Sequence, residues 1–197
     1  MEFSEALKAR RSVYALNDKL PVSEDEAVKA IEQAVVLTPS AFNVQSAQAV
    51  VLLGAVHKRL WQIVTDTLKT VVPADKFEPT QQKMDMFAAA AGSVLFFEDT
   101  EAVEGLKQQF PTYADAFDGF AAQANGMAQV NVWQALATLG IGANLQHYNP
   151  LIDEAVKREW NIPESWLLRA QMNFGGVAAP AGPQERKPAS ERVRVVR

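Results

Sequence analysis

Apolar positions recur every three to four residues over 2 to 13 and again over 24 to 37. In the second stretch Ser23 and Glu26 form a capping box ahead of Ala27, Val28, Ile31, Ala34 and Val35. Two helices are predicted, the second stopped by Pro39. The pattern then changes. Gln48 to Leu53 is short, apolar and β-branched and ends at Gly54, which predicts a buried strand, and Ser93-Val94-Leu95-Phe96-Phe97 predicts another. Helices are predicted at 55 to 70, 79 to 91 and 100 to 110, with Glu98-Asp99 placed to cap the last. From 114 to 139 a long alanine-rich helix carries Phe117, Phe120, Ala124, Met127, Ala128, Val130, Val132, Trp133, Leu136 and Leu139, more apolar cover than one stripe and enough to predict burial on more than one side.

A loop from Gly140 to Pro150 and a short helix at 150 to 159 lead to a third strand, Trp166 to Phe174, terminated by Gly175-Gly176. The Pro- and Gly-rich stretch 180 to 188 reads as a connector. Beyond it Val193 and Val195 alternate with Arg192 and Arg194, so Arg192 to Val196 suits a fourth strand at a sheet edge. Helices and strands interleave without a regular βαβ series, so the expected class is α+β. No repeat or long linker divides the chain, and residues 1–197 read as a single domain.

Composition narrows the function. The chain is 48% hydrophobic, enough for a substantial core, and its net charge of −4 supplies no basic field for nucleic acid. It contains no cysteine, which removes disulfides, thiolate metal sites and a cysteine nucleophile. Met1 to Leu7 has no apolar core of signal-peptide length, and no later run approaches the roughly 18 to 20 residues of a membrane span, so a cytoplasmic protein free of the membrane is expected. With only His57 and His147, no histidine metal site is expected. Gly140-Ile141-Gly142 fails as a dinucleotide fingerprint because Leu145 holds the third glycine position. Hydrolase elbows, phosphate-binding loops and His-Glu-x-x-His pairs do not occur.

Three groups of residues remain to carry chemistry. Arg10, Arg11 and Ser12 follow the first predicted helix, Arg186 and Lys187 lie near the C-terminus, and Pro39-Ser40-Ala41-Phe42-Asn43-Val44-Gln45-Ser46 follows the second helix. Paired guanidinium forks and hydroxyls suit a phosphate. Arg10 and Arg11 are also placed to offset a helix dipole, worth about 0.3 to 1 kcal/mol, and Pro-Ser-x-x-Asn also suits an ordinary turn.

In their order and spacing these pieces, with Gly92 to Asp99 and Leu139 to Pro150, resemble the FMN site of the nitroreductase family, closest to its small fungal-type subgroup, over essentially the whole chain. The resemblance implies a central antiparallel sheet flanked by helices and an intertwined homodimer with FMN between subunits and the C-terminal strand exchanged. It implies that Arg10, Ser12 and Arg186 hold the phosphate and ribityl chain, with Arg11 and Lys187 as adjuncts, and that Tyr14 stands where many relatives have a basic residue. Ser40, Asn43 and Gln45 would meet the ring edge and ribityl hydroxyls, with Ser46 in place of the usual proline. Lys83 would face the flavin O2. Leu145, Gln146, His147 and Tyr148 would flank the ring, with a backbone N–H near His147 donating to N5. No side chain is expected to act as a nucleophile or metal ligand, because the flavin carries the chemistry.

The implied activity is ping-pong hydride transfer from NADH or NADPH to flavin N5 and on to a small-molecule acceptor such as a nitroaromatic or quinone. A flavin- or ligand-binding stress or sensor protein on the same scaffold, with little turnover, is the alternative, and an interaction domain with no cofactor is a further one.

Overall fold

The apolar run that begins at Gly92 forms the middle of the sheet. The computed structural model describes residues 3–197, and within them β3 (Gly92–Asp99) pairs antiparallel with β2 (Ala47–Leu53) on one side and β5 (Trp166–Val177) on the other. Side chains alternate across a strand, so Val94 and Phe96 face one way and Leu95 and Phe97 the other, all four buried. β4 (Gly142–Gln146) pairs with the opposite side of β5, and the two-residue β1 (Leu16–Asn17) with the C-terminal end of β5. Every pairing between these strands is antiparallel.

Helices cover both faces, as an apolar sheet with no polar side requires. On the Val94 face α2 (Glu24–Val36) and α6 (Ala114–Thr138) bring Ala27, Ile31, Val132 and Leu136 against Phe96, Ala170, Met172 and Phe174. On the Leu95 face α3 (Gly54–Lys69), α4 (Glu78–Ala88) and α7 (Asp153–Trp160) bring Leu60, Trp61, Val64, Met84, Phe87 and Val156 against Phe97 and Leu168. Each such side chain contributes about 1.5 to 3 kcal/mol on burial. α1 (Phe3–Ala9) rests on α6, and α5 (Thr100–Gln109) packs Val103 against Phe117 and Ala121. The predicted caps form: Ser23 Oγ accepts from Glu26 N at 3.2 Å, and Asp99 Oδ1 from Glu101 N at 3.1 Å.

Five expectations need correction. The first helix ends at Ala9 rather than 13, because Val13 and Leu16 are buried and draw the chain onto the sheet; its predicted start at residue 2 lies outside the described residues. Gln48 to Leu53 is an edge strand rather than an interior one, with only Leu52 fully buried. The Gly140 to Pro150 loop contains β4, whose Gly-Ala-Asn-Leu-Gln carries no β-branched residue to announce it. Gly175 and Gly176 do not end β5. They lie inside it, where a Cβ would run into the backbone oxygens of Asn17 and Lys19. Finally, Arg192 closes a four-residue helix, α8 (Ala189–Arg192), and 193–197 is exposed without a sheet partner among the described residues.

Candidate functional site

Beyond α1 the chain is locked to β4. Arg10 N donates to Ala6 O at 3.1 Å and closes the helix, Val13 N donates to Ala143 O at 2.9 Å, and the Asn144 amide returns a bond to Val13 O at 2.9 Å. Ser12 bridges Ala143 in parallel. The arginines of this segment meet the C-terminal stretch: Arg11 Nη2 donates to Gly182 O at 2.6 Å. Arg10, Gln184, Glu185, Arg186, Lys187 and Arg192 line a cleft of about 430 Å³. Arg10 stacks 4.5 Å from the centre of the Trp133 ring. Burial first, and then the charges of Arg186 and Arg11, hold its guanidinium below the usual arginine value. Three like charges are therefore gathered where an isolated chain would keep them apart.

Tyr14 continues from this segment, half exposed, with its ring 6.4 Å from Phe87. Lys83 lies one turn before Phe87 on α4, exposed, with Nζ 5.5 Å from the centre of that ring. Leu145 and Gln146 end β4. Gln146 is buried and donates to Asn144 Oδ1 at 2.9 Å, and His147 beyond it is exposed. Tyr148 is held through its backbone N–H, which donates to Gln171 Oε1 at 2.7 Å; its ring meets Trp61 edge to face at 5.8 Å, and burial pushes its hydroxyl up to about 12. Arg10, Arg186 and Lys187 thus share a cleft, Ser12 lies beside β4, and Tyr14, Lys83 and Tyr148 are linked through Phe87 and Trp61.

Ser40, Asn43 and Gln45 form a second group. Ser40 Oγ accepts from Gln45 N at 2.9 Å, and Gln48 Nε2 donates to Gln45 O at 3.1 Å. Phe42, Asn43 and Gln45 all have φ between 53° and 55°, the left-handed region. Such backbone costs about 1 to 3 kcal/mol per residue and persists only where surroundings enforce it. Here Phe42 does so by stacking on Phe110, 4.7 Å between ring centres, with Tyr113 and Phe117 beside it. Pro39, Ser40, Gln45, Ala47, Gln48 and Ala124 border a hollow of about 400 Å³.

The two groups lie at opposite corners of the sheet. Ser12 is level with Ala143, hence with Phe174, Gly92 and Leu53, whereas the Ser40 loop adjoins Ala47, six residues along β2. From Ala143, beside Ser12, to Ala47 that is about 20 Å along the strands and three strand spacings across, about 25 Å in all.

Sequence reading missed the polar side chains beneath the first group. His57 is fully buried on α3, with Nδ1 2.9 Å from Ser93 Oγ and Nε2 3.1 Å from Phe87 O. Trp61 Nε1 donates to Ser93 Oγ at 3.3 Å, and Ser93 meets Asn173 at 2.9 Å. A signal existed: His57 falls in the apolar stripe of Leu60, Trp61 and Val64, and Ser93, Gln171 and Asn173 interrupt apolar strands. Among the described residues, no three His, Asp or Glu side chains are grouped to hold a metal, and no helix is long and apolar enough to cross a membrane.

Known proteins resemble this chain over nearly its whole length. The nitroreductase family model matches residues 7–176. HBN1 of Saccharomyces cerevisiae is 41% identical over 182 residues, 91% of this chain and 90% of that one. Nitroreductase FRM2 of the same yeast is 36% identical, covering 86% and 85%. Nitroreductase CinD of Lactococcus lactis, solved with 4-nitrophenol, is 44% identical with a TM-score of 0.92, covering 100% of both chains, and it has also been solved with chloramphenicol and with nicotinic acid. A Desulfovibrio desulfuricans structure containing FMN shares the fold at 22% identity, with a TM-score of 0.68 and coverage of 96% and 94%.

Proposed function

The chain belongs to the nitroreductase family, and from that membership we propose that it is an FMN-dependent oxidoreductase that takes hydride from NADH or NADPH and reduces small, flat, electron-poor acceptors. The observation that carries the cofactor reading is the gathering of Arg10 and Arg186 on one cleft, with Arg11 close enough to act on the Arg10 charge. Without an anion the cluster is repulsive; a terminal phosphate with close to two negative charges turns the repulsion into charge-assisted hydrogen bonds. Arg10 and Arg186 grip the phosphate, Ser12 offers a hydroxyl to the ribityl chain, and Arg11 and Lys187 add charge. Trp133 keeps the Arg10 guanidinium flat and partly dry, which strengthens its field.

When bound, FMN would supply hydride acceptance from a nicotinamide and hydride donation to the acceptor, in ping-pong order. The side chains position the ring, tune it and exclude water. Lys83 would bring a positive charge toward the ring's O2, Leu145 to Tyr148, tied to Gln171 through the Tyr148 N–H, would form an edge for the ring, and the His147 backbone N–H would be the donor to N5. The complexes of CinD with 4-nitrophenol and nicotinic acid favour a nitroaromatic acceptor and a pyridine-ring donor here as well.

Ser40, Asn43 and Gln45 reach the same flavin from a second copy of the chain, since about 25 Å of sheet separates them from Arg10 within one copy. The free edge of β2, the exposed Val36, Leu37, Met127 and Val130, and the apolar alternation of 193–196 suit a homodimer with exchanged C-terminal segments.

Anaerobic stopped-flow absorbance of the FMN-loaded protein tests the proposal. Mixing with NADH or NADPH should bleach the oxidised-flavin band, and a nitroaromatic should restore it. A band that forms and never bleaches would instead identify a binding protein, and no bound flavin would remove the assignment.

A further inference from the structure

His57, Ser93 and Asn173 form a hydrogen-bonded row under α4 whose proton count allows one arrangement. Phe87 O can only accept, so His57 Nε2 carries a proton and donates to it at 3.1 Å. His57 is buried among apolar side chains, and burial is the leading cause that lowers its value to about 4, so the ring is neutral and Nδ1 accepts. The Nδ1 partner, Ser93 Oγ at 2.9 Å, must therefore spend its single proton on the histidine. Ser93 then has none left for Asn173 Oδ1, the atom drawn 2.9 Å away, while Asn173 Nδ2 is buried without a partner. Turning the amide over gives Ser93 a donor in Asn173 Nδ2 and leaves a carbonyl oxygen rather than an N–H as the buried atom without a partner. Asn173 and Trp61 donate to Ser93, Ser93 donates to His57, and His57 donates to the carbonyl at the end of α4.

That carbonyl has a second lone pair open to a donor from outside the helix. The last carbonyls of a helix lack partners within it, and α4 ends with neither a glycine cap nor a basic residue in its last turn. Ala90 N bonds Phe87 O at 3.2 Å, and the second donor comes across from α3. The Phe87 side chain is fixed on its other side by Trp61, 4.6 Å between ring centres. Both halves of Phe87 are thus held from α3, and Lys83, four residues earlier on the same helical face, lies over the Phe87 ring.

We infer that His57 is a positioning residue: oriented by Ser93 and Asn173, it caps the C-terminal turn of α4 and thereby fixes where Lys83 presents its charge. The inference rests on the proposed role of Lys83 beside a bound flavin. A loose α4 lets the lysine swing into solvent, where its field on the ring is screened.

The test is the midpoint potential of bound FMN, measured by spectroelectrochemistry in the full-length holoprotein, with the FMN Kd of the apoprotein as a second reading. Lys83→Ala should lower the potential; if it does not, the flavin role of Lys83 is wrong and the inference has lost its premise. Given that shift, His57→Phe, which keeps ring volume without the donor, should lower the potential in the same direction, and adding it to Lys83→Ala should lower it no further. His57→Gln, able to donate to Phe87 O and accept from Ser93, should restore the wild-type potential. Ser93→Ala, a smaller change available should His57→Phe fail to fold, should move the potential part of the way. A His57→Phe or Ser93→Ala protein that binds FMN at the wild-type potential overturns the inference, as does a shift that persists undiminished in the Lys83→Ala background.

Discussion

Arg10 and Arg186 face one another across the basic cleft without an opposing carboxylate among the groups that set the Arg10 value. Their repulsion makes a prediction that separates binding from structural residues. Arg186→Ala should weaken FMN binding by about 10- to 100-fold, the worth of one charge-assisted hydrogen bond at 1.5 to 3 kcal/mol, while leaving the urea midpoint of the apoprotein unchanged or raised. A fall in apoprotein stability without a change in FMN affinity would make the arginine structural. His57 behaves in the opposite way. Its folded value of about 4 lies below the ordinary 6.5, so as pH falls the unfolded chain takes up a proton first. The stability contributed by the neutral ring is complete above pH 6.5 and is lost between there and pH 4, to an extent of about 3 kcal/mol. Urea unfolding at pH 7 and pH 4.5 should show a larger loss in the wild type than in His57→Gln. Equal losses would mean that the ring titrates as it does in water.

At the scale of elements, close backbone approach matters more than side-chain pattern. The Cβ of an alanine at 176 would collide with Lys19 O and Asn17 Oδ1, so Gly176→Ala should push β1 off β5 and cost about 1 to 3 kcal/mol. Because β1 follows directly from Arg10 to Tyr14, FMN affinity should fall with it. Retained affinity at full stability would mean that the 10–14 segment is held by β4 alone. The glycine pair was legible as a break and wrong as an ending, since composition does not reveal which backbone passes overhead. β4 was illegible for a related reason. Gly142 is small because Leu16, Val177 and Val13 crowd it, and the buried Asn144 bonds to Val13 O, so the character of β4 is set by neighbours distant in sequence. By contrast α2, α5, α6 and β3 were readable from apolar spacing and caps, because each buries its own apolar side on the sheet or a neighbouring helix. The Ser40 loop was legible as a motif, but the left-handed Phe42 was not, since its ring packs against Phe110, distant in sequence.

For the whole molecule, the sheet itself decides whether one chain can bind the cofactor alone. Arg10 and Ser12 sit beside β4 at one corner, while Ser40, Asn43 and Gln45 sit before β2 at the opposite corner, about 25 Å away. No rotamer change closes such a gap, because β3 and β5, buried on both faces, lie between. If both groups serve one flavin, they come from different subunits, and this has a consequence for mixtures. Arg10→Ala subunits alone and Asn43→Ala/Gln45→Ala subunits alone should each purify with little flavin. A hybrid dimer made from one of each contains one site with both defects and one with neither, so co-expression with distinct affinity tags should recover a yellow heterodimer with a single FMN. Light scattering on the same sample checks the dimer. A hybrid as colourless as its parents would mean that each subunit's flavin depends on that subunit's own Arg10 and Ser40 loop, and would overturn the shared site.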